Sequence, residues 1–223
     1  MSKATFFNKG LLKGKLTKCE IISYDKNGNK GEFLSLEVST GSGNKVKATM
    51  FPTKKDPKKH LEMKSTYPVN SMVEISGNIS EKEYDSNGRK GIDRSLGAMS
   101  IRTLIDESKM MATFIMQGIV ERIRETSDGA VVVVRYDNTY TNASNVEVTN
   151  TEHFTLTLDD GGLINEEDVV VGCNAKFKGK IFNSLEFDDY GDIVGNVQAF
   201  KVDKIENVIQ PEDLVEEEAG FEI

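Results

Sequence analysis

The sequence predicts an all-β protein built from two five-stranded barrels in tandem, and three observations predict it. Apolar and polar residues alternate at the two-residue period of half-buried strands, with Leu34, Leu36 and Val38 set against Phe33, Ser35 and Glu37. Runs rich in Asn, Asp, Ser and Gly separate these segments, as hairpin turns require. The third observation is a repeat. Val73-Glu74-Ile75-Ser76-Gly77-Asn78-Ile79, followed by Tyr84-Asp85, Gly88 and Ala98-Met99-Ser100-Ile101, returns as Ala175-Lys176-Phe177-Lys178-Gly179-Lys180-Ile181, followed by Phe187-Asp188, Gly191 and Ala199-Phe200-Lys201-Val202. The offset is 102 at the glycines, 103 at the aromatic residues and 101 at the alanines, so the copies differ by single loop residues. A period near one hundred residues is a whole small domain, well beyond the ~20–50 residues of a solenoid unit.

In the first copy, Leu34 to Val38 is one alternating strand, Val46, Ala48 and Met50 mark the next, and Val73, Ile75, Gly77 and Ile79 another. Asp25-Lys26-Asn27-Gly28-Asn29, Thr40-Gly41-Ser42-Gly43-Asn44 and Asp85-Ser86-Asn87-Gly88 are the turns between strands. The second copy repeats the order with Gly118-Ile119-Val120, Val131 to Val134, Phe154-Leu156-Leu158, Ala175 to Ile181 and Gln198 to Val202. After the third strand each copy holds a longer connection without alternation, Pro52 to Pro68 and Asp159 to Asp168, where a short helix fits. Five antiparallel strands with a helix or loop after the third describe the OB-like barrel, a partly open Greek-key form. The expected division is an OB-like basic barrel over 1–109, an OB-like acidic barrel over 110–209, and a flexible acidic tail over 210–223. The tail has no apolar periodicity and too little apolar mass to fold alone.

The net charge of −8 over 223 residues hides an asymmetry. Residues 1–109 carry 20 Lys and Arg against 13 Asp and Glu, whereas residues 110–223 carry 8 against 23. A polyanion is therefore expected to meet the first half. The two cysteines, Cys19 and Cys173, stand one in each copy and suit neither a disulfide framework nor a four-ligand zinc site; small buried hydrophobes are expected. No nucleophile elbow, no Gly-rich phosphate loop and only two histidines, His60 and His153, are present, so an enzyme is not expected, nor a metal or cofactor.

The candidate binding residues lie on the first barrel. Phe33, Lys45, Lys47 and Phe51 fall at solvent-facing positions of neighbouring strands. Cations beside exposed rings suit a single-stranded nucleic acid, because ammonium groups neutralise phosphates while rings stack on bases. The competing reading places both rings under a loop, completing the core. Lys54, Lys55, Lys58 and Lys59 extend the basic set as one wall of a channel or as a solvated loop. Tyr84, Arg89, Lys90 and Arg94 lie in or beside the loop between the fourth and fifth strands, one of the two loops that line the groove of OB folds. Tyr84 has a second possible role, packing at the hairpin base, since its repeat partner is Phe187. In the second copy, the Asn- and Thr-rich hairpin from Tyr136 to Thr151 is a candidate for subunit pairing or for closing over a strand.

With the repeat, the basic first half and the acidic end in place, the chain resembles single-stranded DNA-binding proteins of the OB class, particularly those of bacteriophage type. Its last residues, Glu216-Glu217-Glu218-Ala219-Gly220-Phe221-Glu222-Ile223, are similar to the acidic, apolar-ended tails of that group, though with Glu in place of Asp and without the Pro-Phe end. The chain also has no Trp, the residue on which many of that group stack bases. The resemblance implies binding of single-stranded DNA without sequence preference, in replication or recombination. It further implies that Glu216, Glu217, Glu218, Phe221 and Ile223 recruit partner proteins of those processes, by mimicking phosphate and filling an apolar pocket. The alternative is an OB-bearing structural or protein-interaction module of a viral or secretion assembly, a reading that the overall acidity favours. Without an apolar run of ~18 residues or a signal-peptide core at Met1-Ser2-Lys3-Ala4, a cytoplasmic location is expected, that of the host if the chain is phage-encoded.

Overall fold

A computed structural model describes residues 3–26, 28–86, 89–105, 109–127, 129–142, 144–159, 162–187 and 193–214; within these, the side chains of residues 26, 29, 84–86, 89–90, 184–187 and 193–196 are not described. Residues 106–108, just before the anticipated boundary between 109 and 110, and most of the acidic tail, 215–223, lie outside the described residues. The protein is all-β. Among the described residues there are ten strands: β1 Phe7–Lys26, β2 Asn29–Ser39, β3 Lys45–Met50, β4 Met72–Ser86, β5 Arg89–Thr103, β6 Met111–Thr126, β7 Gly129–Thr141, β8 Glu147–Leu158, β9 Asn174–Phe187 and β10 Ile193–Ile209. Helix α1, Lys59–Thr66, follows β3, and α2, Gly162–Glu166, follows β8, the two places where the alternation lapses. A 3₁₀ turn covers Pro211–Asp213.

The first five strands close into a ring in the order β1-β2-β3-β5-β4 and back to β1. All neighbours are antiparallel except β3 and β5, which run parallel at Ala48–Leu96 and Thr49–Gly97. The last five strands close in the same order, β6-β7-β8-β10-β9 and back to β6. Local geometry is repeated as well. β1 slips register by one residue between Leu16 and Lys18, and β6 does so between Val120 and Arg122. Leu16 N–H donates to Ser71 O while Asn70 N–H donates to Leu16 O; Val120 and the pair Cys173 and Gly172 make the same two bonds. Asn70 and Gly172 both have a positive φ, at 78° and 94°.

The cores follow from the alternation. In the first ring Leu34, Leu36, Val38, Val46, Ala48, Met50, Val73, Ile75, Ile79 and Leu96 are buried, each large side chain contributing about 1.5–3 kcal/mol. In the second, Val132, Val134, Phe154, Leu156, Cys173 and Phe177 are buried. Cys19 and Cys173 are both buried free thiols, and burial pushes each above its ordinary pKa.

The chain forms two compact units that do not follow it continuously. One comprises Met1–Asn8, Ile115–Gly179 and Lys201–Ile223; the other comprises Lys9–Phe114 and Lys180–Phe200. In the former, the buried Asn174 clamps Thr5 by accepting its N–H at 3.4 Å and donating to its carbonyl at 2.9 Å, while Gln117 donates to the same Asn174 oxygen at 2.9 Å. In the latter, Asn44 donates to Ile181 O at 3.0 Å and accepts from Asn183 N–H at 2.9 Å, and Lys47 N–H donates to Gln198 Oε1 at 2.7 Å.

Gly77 sits opposite a bulge of β5 at Met99, where an added Cβ would stand 1.9 Å from Gly97 O, whereas a Cβ on Gly97 would meet only Asn78 O at 3.5 Å. Gly77→Ala is expected to destabilise by more than about 2 kcal/mol, and Gly97→Ala to stay within about 0.5 kcal/mol of the parent, as read from urea unfolding midpoints.

Candidate nucleic-acid interface

The site is generated by strand parity. Leu34 and Met50 are paired and point into the core, so Phe33 and, one residue beyond the end of β3, Phe51 point outward side by side. Their rings stack with centroids 5.0 Å apart and planes at 27°. Tyr24 joins them from β1, with ring centroids 6.3 Å from Phe33 and 6.5 Å from Phe51. The cluster is open to solvent: Phe51 is 45% exposed and Tyr24 is 40% exposed. Neither phenylalanine is buried, so they do not complete the core. Tyr24 faces Gly31 across the hairpin, and the missing side chain there leaves room for its ring: a Cβ on Gly31 would lie 2.5 Å from the Tyr24 hydroxyl. Beside the ring is an open hollow of about 600 Å³ lined by Ser23, Tyr24, Asp25, Lys30, Gly31 and Glu32.

Cations share the outward face with the rings. Lys82, on β4, holds its ammonium 5.7 Å from the Phe51 centroid, within cation–π reach. Lys45 and Lys47 share the outward face of β3 and sit in loose ion pairs, Lys45 with Glu37 at 3.4 Å and Lys47 with Asp93 at 3.9 Å. All four groups are substantially exposed except Glu37, and such pairs are worth ~0–1 kcal/mol, so either lysine can turn to a phosphate at little cost. Glu37 is held below its ordinary pKa first by the Thr17 hydroxyl, which donates to it at 2.7 Å, and then by Lys45, against the opposing effect of burial.

Lys54, Lys55 and Lys58 are exposed on the connection after Phe51, which is pinned by reciprocal Thr53–Asp56 backbone bonds of 3.3 and 3.2 Å. Lys59 instead donates to Met99 O at 2.8 Å. His60, only 2% exposed, anchors α1 to β2 through Nε2 and Glu32 Oε1 at 3.1 Å, next to Phe33. Arg94 is committed: its Nε donates to Glu81 at 2.8 Å, both side chains nearly enclosed, and Nη1 donates to Gln198 O at 3.3 Å. For Tyr84, Arg89 and Lys90 the backbone is paired at the end of the β4–β5 ladder where the two strands are joined, while their side chains lie outside the described residues. So do Glu216, Glu217, Glu218, Phe221 and Ile223.

Phe33, Phe51, Lys45 and Lys47 are thus brought to one face. Sequence reasoning missed Tyr24 and Lys82. Tyr24 could have been found by counting back from the Asp25–Asn29 turn to its partner Gly31. Lys82 depends on the long-range order β3-β5-β4, for which the sequence has no local signal. Among the described residues no cluster of three or more His, Cys, Asp or Glu is placed to hold a metal ion, and no helix is long and apolar enough to cross a membrane.

No family model matches the sequence, and no curated protein does. Solved structures do match in fold. The wild-type single-stranded DNA binding protein from Thermus aquaticus aligns with TM-score 0.59 at 14% identity, covering 93% of this chain and 95% of that one. A deletion mutant of the same protein aligns with TM-score 0.59 at 14% identity, covering 92% and 96%. The likeness, spanning nearly all of both chains, is one of fold.

The depressed Glu37 carboxyl stabilises the fold above the ordinary carboxylate pKa of 4.5, and that contribution is lost as pH falls through the lower folded value. Thr17→Val removes the main cause. Its expected effect is a higher Glu37 pKa by NMR titration and a smaller gain in stability between acid and neutral pH than in the parent.

Proposed function

We propose that the chain binds single-stranded DNA without sequence preference, through the ring cluster Tyr24, Phe33 and Phe51 and the cations Lys45, Lys47 and Lys82 around it. The observation that carries this reading is the exposed aromatic cluster itself. Three rings left in contact with solvent on a strand face are costly unless something covers them, and base faces do so at about 1–3 kcal/mol per base. The flanking lysines supply the phosphate contacts that such binding needs. In this reading the two five-strand rings are OB-like barrels, over 1–109 and 110–209, a view supported by their cyclic strand order and the fold likeness to a single-stranded DNA binding protein. Lys54, Lys55, Lys58 and Lys59, with Arg89 and Lys90, extend the cationic track, and Tyr84 adds a further ring. Arg94 orders the β4–β5 face through Glu81.

The same reading gives the chain a place in DNA replication or recombination as a non-enzymatic binding protein of the cytoplasm. The acidic segment that includes Glu216, Glu217, Glu218, Phe221 and Ile223 then recruits partner proteins; its charge and apolar end support that role.

Fluorescence anisotropy of a labelled poly-dT strand of about 30 nucleotides, compared with duplex of equal length, tests the proposal. Tight binding to the single strand that weakens with salt is expected. Phe51→Ala should weaken it about 5- to 150-fold, and Lys47→Ala should reduce the slope of log K against log salt by about 0.7. Equal affinity for duplex, or no binding at low salt, would contradict the proposal and leave the strands as protein-docking surfaces.

A further inference from the structure

The two rings can be aligned residue by residue through their registers, because each first strand carries the same one-residue slip. Leu34 pairs with Met50 as Ala130 pairs with Leu158, Val38 with Val46 as Val134 with Phe154, and Ser39 with Lys45 as Arg135 with His153. Ile22 pairs with Phe33 as Thr126 pairs with Gly129. The counterparts of the first-ring interface follow without further assumption. Phe33 corresponds to Gly129, Phe51 to Asp159, Lys45 to His153 and Lys47 to Thr155.

Each replacement removes something a strand would need. Gly129 has φ +147°, and a Cβ there would lie 1.9 Å from Leu158 O, so no ring-bearing side chain fits at that position. Asp159 puts a carboxylate where Phe51 puts a ring, and it pairs with Lys201. His153 lies against the Glu121 carboxylate at 3.1 Å, with Arg135 at 3.8 Å from Glu121 and 3.2 Å from Asp137. Here the bulge residue is itself acidic, Glu121, where the first ring has Thr17. Lys201, His153 and Arg135 thus lie against carboxylates, Arg122 and Arg124 are exposed on β6, and residues 110–205 carry 8 basic against 16 acidic groups.

We infer that each chain carries one stacking platform for single-stranded DNA, on the first ring, and that the equivalent face of the second ring is closed to nucleic acid by its backbone at Gly129 and by its charge. This rests on the proposed function and narrows it to a site wholly on one ring. Its span is then that of one such fold, ~4–16 nucleotides.

The test is a stoichiometric titration of the full chain with labelled oligo-dT of about ten nucleotides, at protein concentrations well above Kd. No more than one strand per chain is expected. Phe33→Ala/Phe51→Ala should weaken that single class roughly 30-fold or more, about 5-fold for each ring. Lys47→Glu, which leaves the rings in place, should weaken the whole signal too. Two strands per chain, or half of the tight sites surviving either variant, would overturn the inference while leaving single-strand binding intact. Absence of binding by the unmodified chain would overturn the underlying proposal.

Discussion

The first ring depends on one long strand that serves two neighbours. β1 pairs with β4 from Gly10 to Lys15 and with β2 from Lys15 to Lys26, so it passes from one partner to the other at Lys15, beside Gly14. The approach there is close: a Cβ on Gly14 would stand 2.0 Å from Ser39 O. Immediately after it, the one-residue slip at Thr17 reverses the parity of the strand. Leu12 and Leu16 point inward before the slip and Cys19 after it. A slip of one residue moves every following side chain to the other face. Without it Tyr24 would fall on the inner side; with it Tyr24 stands beside Phe33. The bulge that closes the ring is thereby the bulge that assembles the aromatic cluster. Thr17 also fills a chemical role, since the residue left unpaired by the slip spends its hydroxyl on Glu37.

The same device in the second ring has a different outcome. A Cβ on Gly118 would lie 2.2 Å from Arg135 O, and the slip follows at Glu121. Closure is preserved while the outer face changes character, because the constraint acts on backbone and parity and leaves outward side chains free. Architecture and outer-face chemistry are therefore separable in this chain, as is general for folds that host many functions. Electrostatics shows the same separation inside the first ring. Arg94 is held almost enclosed by Glu81, and Glu74 is gripped by Lys13 at 3.0 Å and by Arg102, so these cations serve the sheet. For Glu74 burial opposes ionisation, and the bonds from Lys13 and Arg102 outweigh it to hold the carboxyl below its ordinary pKa. Lys45 and Lys47 are looser and share the outward face of β3, and Lys82 lies over the Phe51 ring.

Much of this was legible in the sequence because it is local. Period-two alternation placed Leu34, Leu36, Val38, Val46, Ala48 and Met50 inside, and by parity put Phe33, Phe51, Lys45 and Lys47 outside. The repeat at Gly77 and Gly179 showed the doubling, and the first of these glycines proves to be required by the close approach of β5. What could not be read depends on partners distant in sequence. Lys82 reaches Phe51 through the parallel β3–β5 contact, and Arg94 is withdrawn from solvent by Glu81 and by Gln198, 104 positions away. The bulge at Thr17 has no signature in residue type, so parity counted forward along β1 from Leu16 puts Tyr24 on the inner face, and only the count back from the turn corrects it.

The central claim is that the Tyr24, Phe33 and Phe51 rings lie against the bases of a bound strand. Ultraviolet cross-linking of the full chain to poly-dT, followed by peptide mapping, addresses it most directly, because it joins only groups in direct contact with a base. The account predicts cross-links at Tyr24, Phe33 or Phe51 and none on β7 or β8. Cross-links concentrated on the Tyr136–Thr151 hairpin, with the three first-ring aromatics unmodified, would contradict it.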